Sequence, residues 1–121
     1  MDYIFSFEEY KQRMEEGFET ESGKCPVLEA LAVFQGKWKL MIVYELATYN
    51  VLRFNEIRNK LNGISNTALS KALKDLEKDN IIIKTKVEDK INYFEYHLTP
   101  RGNDLLPIFF ELTNWGLNYI P

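Results

Sequence analysis

Apolar residues recur at helical spacing along most of the chain and switch to a period of two over one short stretch after Asn80. "SFEEYKQRMEEG" predicts a short first helix, with Ser6 as its N-cap and Gly17 as its stop. A polar link, "FETESGK", leads into "CPVLEALAVF", where Pro26 suits the first helical position. After the break at Gln35 and Gly36, "KWKLMIVYELAT" is apolar on most of its circumference, which predicts the buried axis of the core.

"VLRF" is extended at best and predicts one small strand. "FNEIRNKL" then places Phe54, Ile57 and Leu61 at i, i+3 and i+7, a brief amphipathic helix. Asn62 and Gly63 mark a tight turn. Ser65 caps the next helix, and Ile64 before it can pack on Leu69 at the fourth helical position, a hydrophobic staple. Leu69, Ala72, Leu73 and Leu76 continue the buried stripe to Asn80, which tolerates a left-handed C-cap.

"IIIKTKV" and "YFEYHL" predict two strands joined across "EDKIN" as a hairpin, with Lys84 and Lys86 on one face and Phe94, Tyr96 and Leu98 on another. In "TPRGNDLLPIFFELTNWGLNYI", Thr99 caps a last helix, Pro100 opens it, and Pro107 kinks or restarts it.

Two short helices around a tight turn, followed by a two-stranded hairpin, is the order of a winged helix-turn-helix. The expected class is mainly α with a small β-hairpin wing (α+β). In such a unit the second helix enters the major groove of double-stranded DNA. Thr67, Ser70 or Lys71, Lys74 and Lys78 fall opposite the leucines of helix 65–79, and Asn66 sits at its exposed first turn. Small polar side chains let a helix sit deep in the groove, and lysines attract phosphate. Any amphipathic surface helix also has a polar face with lysines, so this face alone does not decide the matter.

Charge changes the picture only when it is resolved along the chain. The net charge of −3 taken alone disfavours nucleic acid, yet residues 51–90 carry nine basic against six acidic side chains, while residues 1–24 carry three against seven. With 45% apolar and 14% aromatic residues the chain is expected to fold as one ordinary domain. Its apolar runs fall short of the roughly 18 residues of a membrane helix, and the acidic start "MDYIFSFEEY" lacks a signal peptide's basic flank, so a cytoplasmic protein is expected. One cysteine and one histidine exclude an intrachain disulfide and leave no metal-ligand spacing. No phosphate-cradling glycine loop is present either, so neither an enzyme nor a cofactor is expected.

"CPVLEAL", "GKWKLMIVYEL", "LRFNEI", "GISNTALSKALKDLE" and "FEYHLTPRG" together resemble the HxlR family of bacterial winged-helix transcriptional regulators, close in architecture to the MarR regulators. The resemblance runs from Cys25 to Gly102 and implies a homodimer on a pseudo-palindromic operator. It places Asn66, Thr67, Ser70, Lys71 and Lys74 on the reading helix, makes Lys37 and Arg53 candidates for phosphate contact, and puts Lys84, Lys86 and Lys90 on the wing. Asn80 stands where the family commonly has glycine, and Glu88 and Asp89 at the wing tip would repel phosphate.

Cys25 precedes Pro26 at a helix start, with Lys24 beside it, a setting that favours the reactive thiolate. The resemblance adds that several such regulators sense oxidants or electrophiles through a cysteine in this motif; the other reading is an inert residue that caps or packs. His97 reads as a surface residue of the last strand.

The last helix is apolar on more than one stripe, through Leu105, Leu106, Ile108, Phe109, Phe110, Leu112, Trp115 and Leu117. Such a surplus points to a partner. Tyr3, Phe5, Phe7 and Tyr10 could cover it across a twofold axis or fold back on their own chain. The organisation expected is an arm over 1–24, a DNA-binding core over 25–99 and a dimerisation helix over 100–121. A winged helix that binds a protein partner instead of an operator is the alternative.

Overall fold

Ser6 opens the first helix through a reciprocal box: its Oγ accepts from the Glu9 amide at 3.1 Å, and the Glu9 carboxylate accepts from the Ser6 amide at 3.3 Å. In the computed structural model, which describes residues 1–121, this helix is α1 (Phe7–Glu16). Gly17 ends it at φ 94°, a conformation that only glycine adopts cheaply. Pro26 starts α2 (Pro26–Ala32), with Cys25 as its N-cap.

The chain divides into two units, Met1–Gln35 and Gly36–Pro121. The first holds α1 and α2, so the 25–99 core expected from the sequence spans the division. Phe18 is the local anchor of this unit, with the Phe5 and Tyr10 rings each 5.9 Å from it. None of residues 1–35 is fully buried.

The second unit holds α3 (Lys39–Tyr49), α4 (Phe54–Lys60), α5 (Asn66–Lys78), β1 (Ile82–Lys86), β2 (Phe94–Leu98), α6 (Pro100–Asn103) and α7 (Leu106–Tyr119). Its core gathers Ile42, Val43 and Leu46 of α3, Ile57 of α4, Leu61, Ile64, and Leu69, Ala72, Leu73 and Leu76 of α5, closed by Ile81, Ile82, Tyr96 and Leu98. In α3 only one stripe is buried; Leu40, Met41 and Tyr44 of the helix expected as the buried axis are exposed. The staple residues Ile64 and Leu69 are both buried on either side of Ser65, whose Oγ accepts from the Ala68 amide at 3.0 Å.

At the other end of α5, Asn80 takes φ 58° and donates its amide to the Glu77 carbonyl, while Ile81 donates to Leu76 at 2.9 Å. That is a Schellman ending with asparagine in the left-handed position. β1 and β2 pair antiparallel from Ile82 opposite Leu98 to Lys86 opposite Phe94. Directly opposed residues share a face. Lys84 and Lys86 therefore stand on the same side of the hairpin as Phe94, Tyr96 and Leu98, not on another, because the register sets cross-strand neighbours. The expected "VLRF" strand shrinks to one bridge, with Leu52 and Tyr96 exchanging bonds of 3.1 and 2.8 Å.

"TPRG" then packs a helix start against the end of α5. The Thr99 hydroxyl accepts from the Gly102 amide at 3.0 Å and lies 2.7 Å from the Asn80 carbonyl, to which it donates. Pro107 restarts the helix as α7 rather than kinking it.

Two glycines are expected to respond oppositely to alanine. A Cβ on Gly102 would sit 2.3 Å from the Ile81 carbonyl oxygen, so Gly102→Ala should cost about 1–3 kcal/mol. Gly116 in α7 has open space, and Gly116→Ala should gain about 0.5–1 kcal/mol of helix stability. Chemical denaturation of both variants checks this; a Gly102→Ala protein as stable as the parent would refute the close approach.

Candidate nucleic-acid interface

α5 is set by its leucines, and the opposite side follows from the helical period. Asn66, Thr67, Lys71 and Lys74 are exposed and Ser70 is half-buried; with Asp75 they line one shallow concave surface. The Ser65 hydroxyl is taken by the Ala68 amide, which leaves Asn66 and Thr67 as the exposed polar side chains outside the cap at the start of α5.

Two contacts organise this face. The Arg58 guanidinium of α4 donates through Nη1 to Asn66 Oδ1 at 3.0 Å, linking the two helices of the motif. The Asp75 carboxylate lies 3.2 Å from Lys71 Nζ and 3.5 Å from Lys39 Nζ. The Lys71 hydrogen bond, reinforced by the charges of Lys71 and Lys39, outweighs partial desolvation and holds the Asp75 carboxyl below its ordinary value of 3.8.

A second group forms at the base of the wing. Arg53 precedes α4, donates its amide to the Glu56 carboxylate at 2.9 Å, and stacks its guanidinium 3.7 Å from the centre of the Tyr93 ring. Lys90 approaches the same ring at 4.3 Å, and Lys84 lies 4.4 Å over Phe94. Lys86 joins Lys90 at the tip, on a surface it shares with Glu88 and Asp89. Lys37 belongs to neither group: it lies two residues before α3, with its ammonium 4.6 Å over the Trp38 ring.

Cys25 is exposed at the start of α2, and its carbonyl accepts from the Glu29 amide at 3.0 Å. Tyr3 and Phe7 are exposed, as are Leu106, Phe110, Trp115 and Leu117 of α7. Two residues expected on the dimer surface are covered by their own chain. Phe109 is 8% exposed and faces Tyr44 at 5.9 Å between ring centres, and Phe5 is half-buried on Phe18.

Sequence reasoning missed Arg58, Lys39, Asp75 and Tyr93. Only the Lys71–Asp75 pair carries a local signal, the i,i+4 spacing of opposite charges. Arg58 and Asn66 lie on different helices, and Tyr93 follows the hairpin turn, so neither contact is periodic.

Residues 33–121 match the family described as HxlR-like helix-turn-helix. An HTH-type transcriptional regulator of Halalkalibacterium halodurans is 34% identical over 112 residues, which are 93% of this chain and 95% of that protein. The HTH-type transcriptional regulator YdzF of Bacillus subtilis is 33% identical over 96 residues, 79% of this chain and 88% of its own. Among solved structures, the reduced form of the transcriptional regulator YodB from B. subtilis is similar at TM-score 0.70 and 28% identity, over 80% of this chain and 95% of that one. The redox regulator HypR in its oxidized form is similar at TM-score 0.68 and 34% identity, over 80% and 99%.

Because the folded-state value of Asp75 is depressed, the stability it contributes is complete above its unfolded value and is lost as pH falls through the folded one. A side-chain carboxyl NMR titration should find Asp75 ionising at lower pH than an isolated aspartate. Lys71→Met should move it back up, and an unchanged titration in that variant would remove Lys71 as the cause.

Proposed function

The chain belongs to the HxlR-like helix-turn-helix family of DNA-binding transcriptional regulators, and on that footing we propose that it acts as a homodimer on a pseudo-palindromic operator. The observation that carries the reading is the outward face of α5, where Asn66, Thr67, Ser70, Lys71 and Lys74 are gathered without a large apolar side chain among them. Short polar groups there can approach base edges, and the lysines neutralise phosphates. Lys84, Lys86 and Lys90 supply backbone contacts from the wing, against the repulsion of Glu88 and Asp89 at its tip, and Arg53, at the start of α4, and Lys37 supply further ones. The chemistry is recognition rather than turnover.

Dimerisation is supported by apolar surface that one chain leaves open. Tyr3 is 88% and Leu117 80% exposed, with Phe7, Leu106, Phe110 and Trp115 also uncovered. Exposed apolar surface on this scale marks an association site. A twofold arrangement of the N-terminal arm and α7 would cover it.

Cys25 is the residue through which an oxidant or electrophile would act. It is exposed, and similar chains include a redox regulator and a quinone-bound form of YodB. As the one cysteine of the chain, it can form an intersubunit disulfide, a mixed disulfide with a small thiol, or an adduct.

Fluorescence anisotropy on the duplex upstream of the protein's own gene, against a scrambled duplex, tests the first reading. Tight binding should prefer the native duplex and weaken with salt, and Lys71→Ala should lower the salt slope by about one per subunit. A library of genomic fragments that yields no preferred duplex at any salt would sink operator recognition and leave a winged helix serving a protein partner. For Cys25, intact mass after quinone or diamide treatment should show one adduct per chain or a linked dimer, absent in Cys25→Ser, together with altered DNA affinity. An unmodified parent protein, or a Cys25→Ser variant whose binding responds equally, would exclude it.

A further inference from the structure

Resting on the reading of α5 as the recognition helix, we propose that Arg58 is a specificity-determining residue that acts through Asn66. Arginine carries only donors, so the Asn66 atom 3.0 Å from Arg58 Nη1 is necessarily the amide oxygen. The Asn66 amide is thereby oriented, with Oδ1 turned to Arg58 of α4 and the two Nδ2 donors at its other end. Asn66 is exposed in the first turn of α5, on the surface it shares with Thr67, Ser70 and Lys71.

An asparagine free to rotate reads adenine with both ends of its amide, accepting from N6 and donating to N7. With one lone pair of Oδ1 and the orientation of the amide taken by Arg58, it is the Nδ2 donor at the other end that Asn66 offers the groove. Guanine, through O6 and N7, and thymine, through O4, present acceptors alone; adenine sets an N6 donor beside its N7 acceptor, which a lone donor leaves unpaired, and cytosine presents the N4 donor, so both are disfavoured. Arg58 thus converts an adenine-type side chain into a reader of acceptor edges, from a position on the first helix of the motif where it touches no base itself. Arg58 is a positioning residue in this scheme, and Asn66 makes the contact.

The test is selection from a randomised duplex library by the full-length parent, Arg58→Met, Asn66→Ala, the double variant and Asn66→Asp. The parent should enrich guanine or thymine at one position per half-site, the position whose preference Asn66→Ala erases. Arg58→Met should shift that position toward adenine by roughly five- to tenfold, leave the other positions unchanged, and have no further effect when Asn66 is already alanine. Asn66→Asp keeps a partner for Arg58 but replaces the donor by an acceptor, so it should select cytosine or adenine there; acidic residues suit the first turn of a helix, so this variant reports even where Arg58→Met is unstable.

An Arg58→Met protein with the parental preference at that position would overturn the proposal. So would a uniform loss of affinity with a shallower salt slope, which is the signature of a phosphate contact. A parent that enriches no motif at all refutes operator recognition itself and takes this proposal with it, whereas a parental motif unaffected by Asn66→Asp refutes only the Arg58–Asn66 scheme.

Discussion

The burial of Leu69, Leu73 and Leu76 fixes the rotation of α5, and most of what this chain does follows from that rotation. These side chains are buried in the core that also holds Ile42, Val43 and Leu46 of α3 and Ile57 of α4. Each contributes on the order of 1.5–3 kcal/mol by leaving water, so turning the helix by even one residue would forfeit several such terms. With the apolar stripe held inward, the 3.6-residue period sends Thr67, Lys71 and Lys74 outward, while Asn66 is exposed as the first residue of the helix. The polar face is therefore set by the core, which explains how short, weakly packed polar residues can be presented in a defined orientation.

The ends of α5 carry the same constraint into the wing. Ile81 donates its amide to the Leu76 carbonyl at 2.9 Å to close the helix, and its own carbonyl accepts from the Thr99 amide at 3.0 Å. One residue later β1 begins. The helix end, the hairpin and the start of α6 thus meet at a single peptide, where Gly102 allows the backbones to approach. On the other edge, the Leu52–Tyr96 bridge ties the hairpin to the residue before Arg53. The wing's cations are consequently placed by backbone bonds as well as by their side-chain contacts.

Much of this was legible in the sequence because the signals are local. Ser6, Ser65 and Thr99 announced three caps, Gly17 a helix stop and Asn80 a left-handed ending, and each depends on residues within a few positions. The leucine period marked the inward face of α5 and, by subtraction, the polar one. What failed was long-range. The apolar circumference of α3 does not say which residues the rest of the chain will cover, so Leu40, Met41 and Tyr44 were misjudged. Strand periodicity without register could not show that Lys84 and Lys86 share a face with Phe94 and Tyr96. Composition likewise could not show that Phe109 would be used by its own chain against Tyr44.

The cations of this acidic protein are held in two different ways, and the difference bears on recognition. Arg53, Lys84 and Lys90 rest on the faces of Tyr93 and Phe94, and Lys37 on Trp38. A ring face restrains a cation without neutralising it, so these charges remain available to phosphate. Lys71, in contrast, is paired with the Asp75 carboxylate, which Lys39 also approaches. An anion that reaches Lys71 therefore meets a carboxylate as well, as one that reaches Lys86 or Lys90 meets Glu88 and Asp89 at the wing tip. On the proposed reading, the ring-held cations would attract any duplex, while α5 would exchange an exposed, weak ion pair for base-edge contacts.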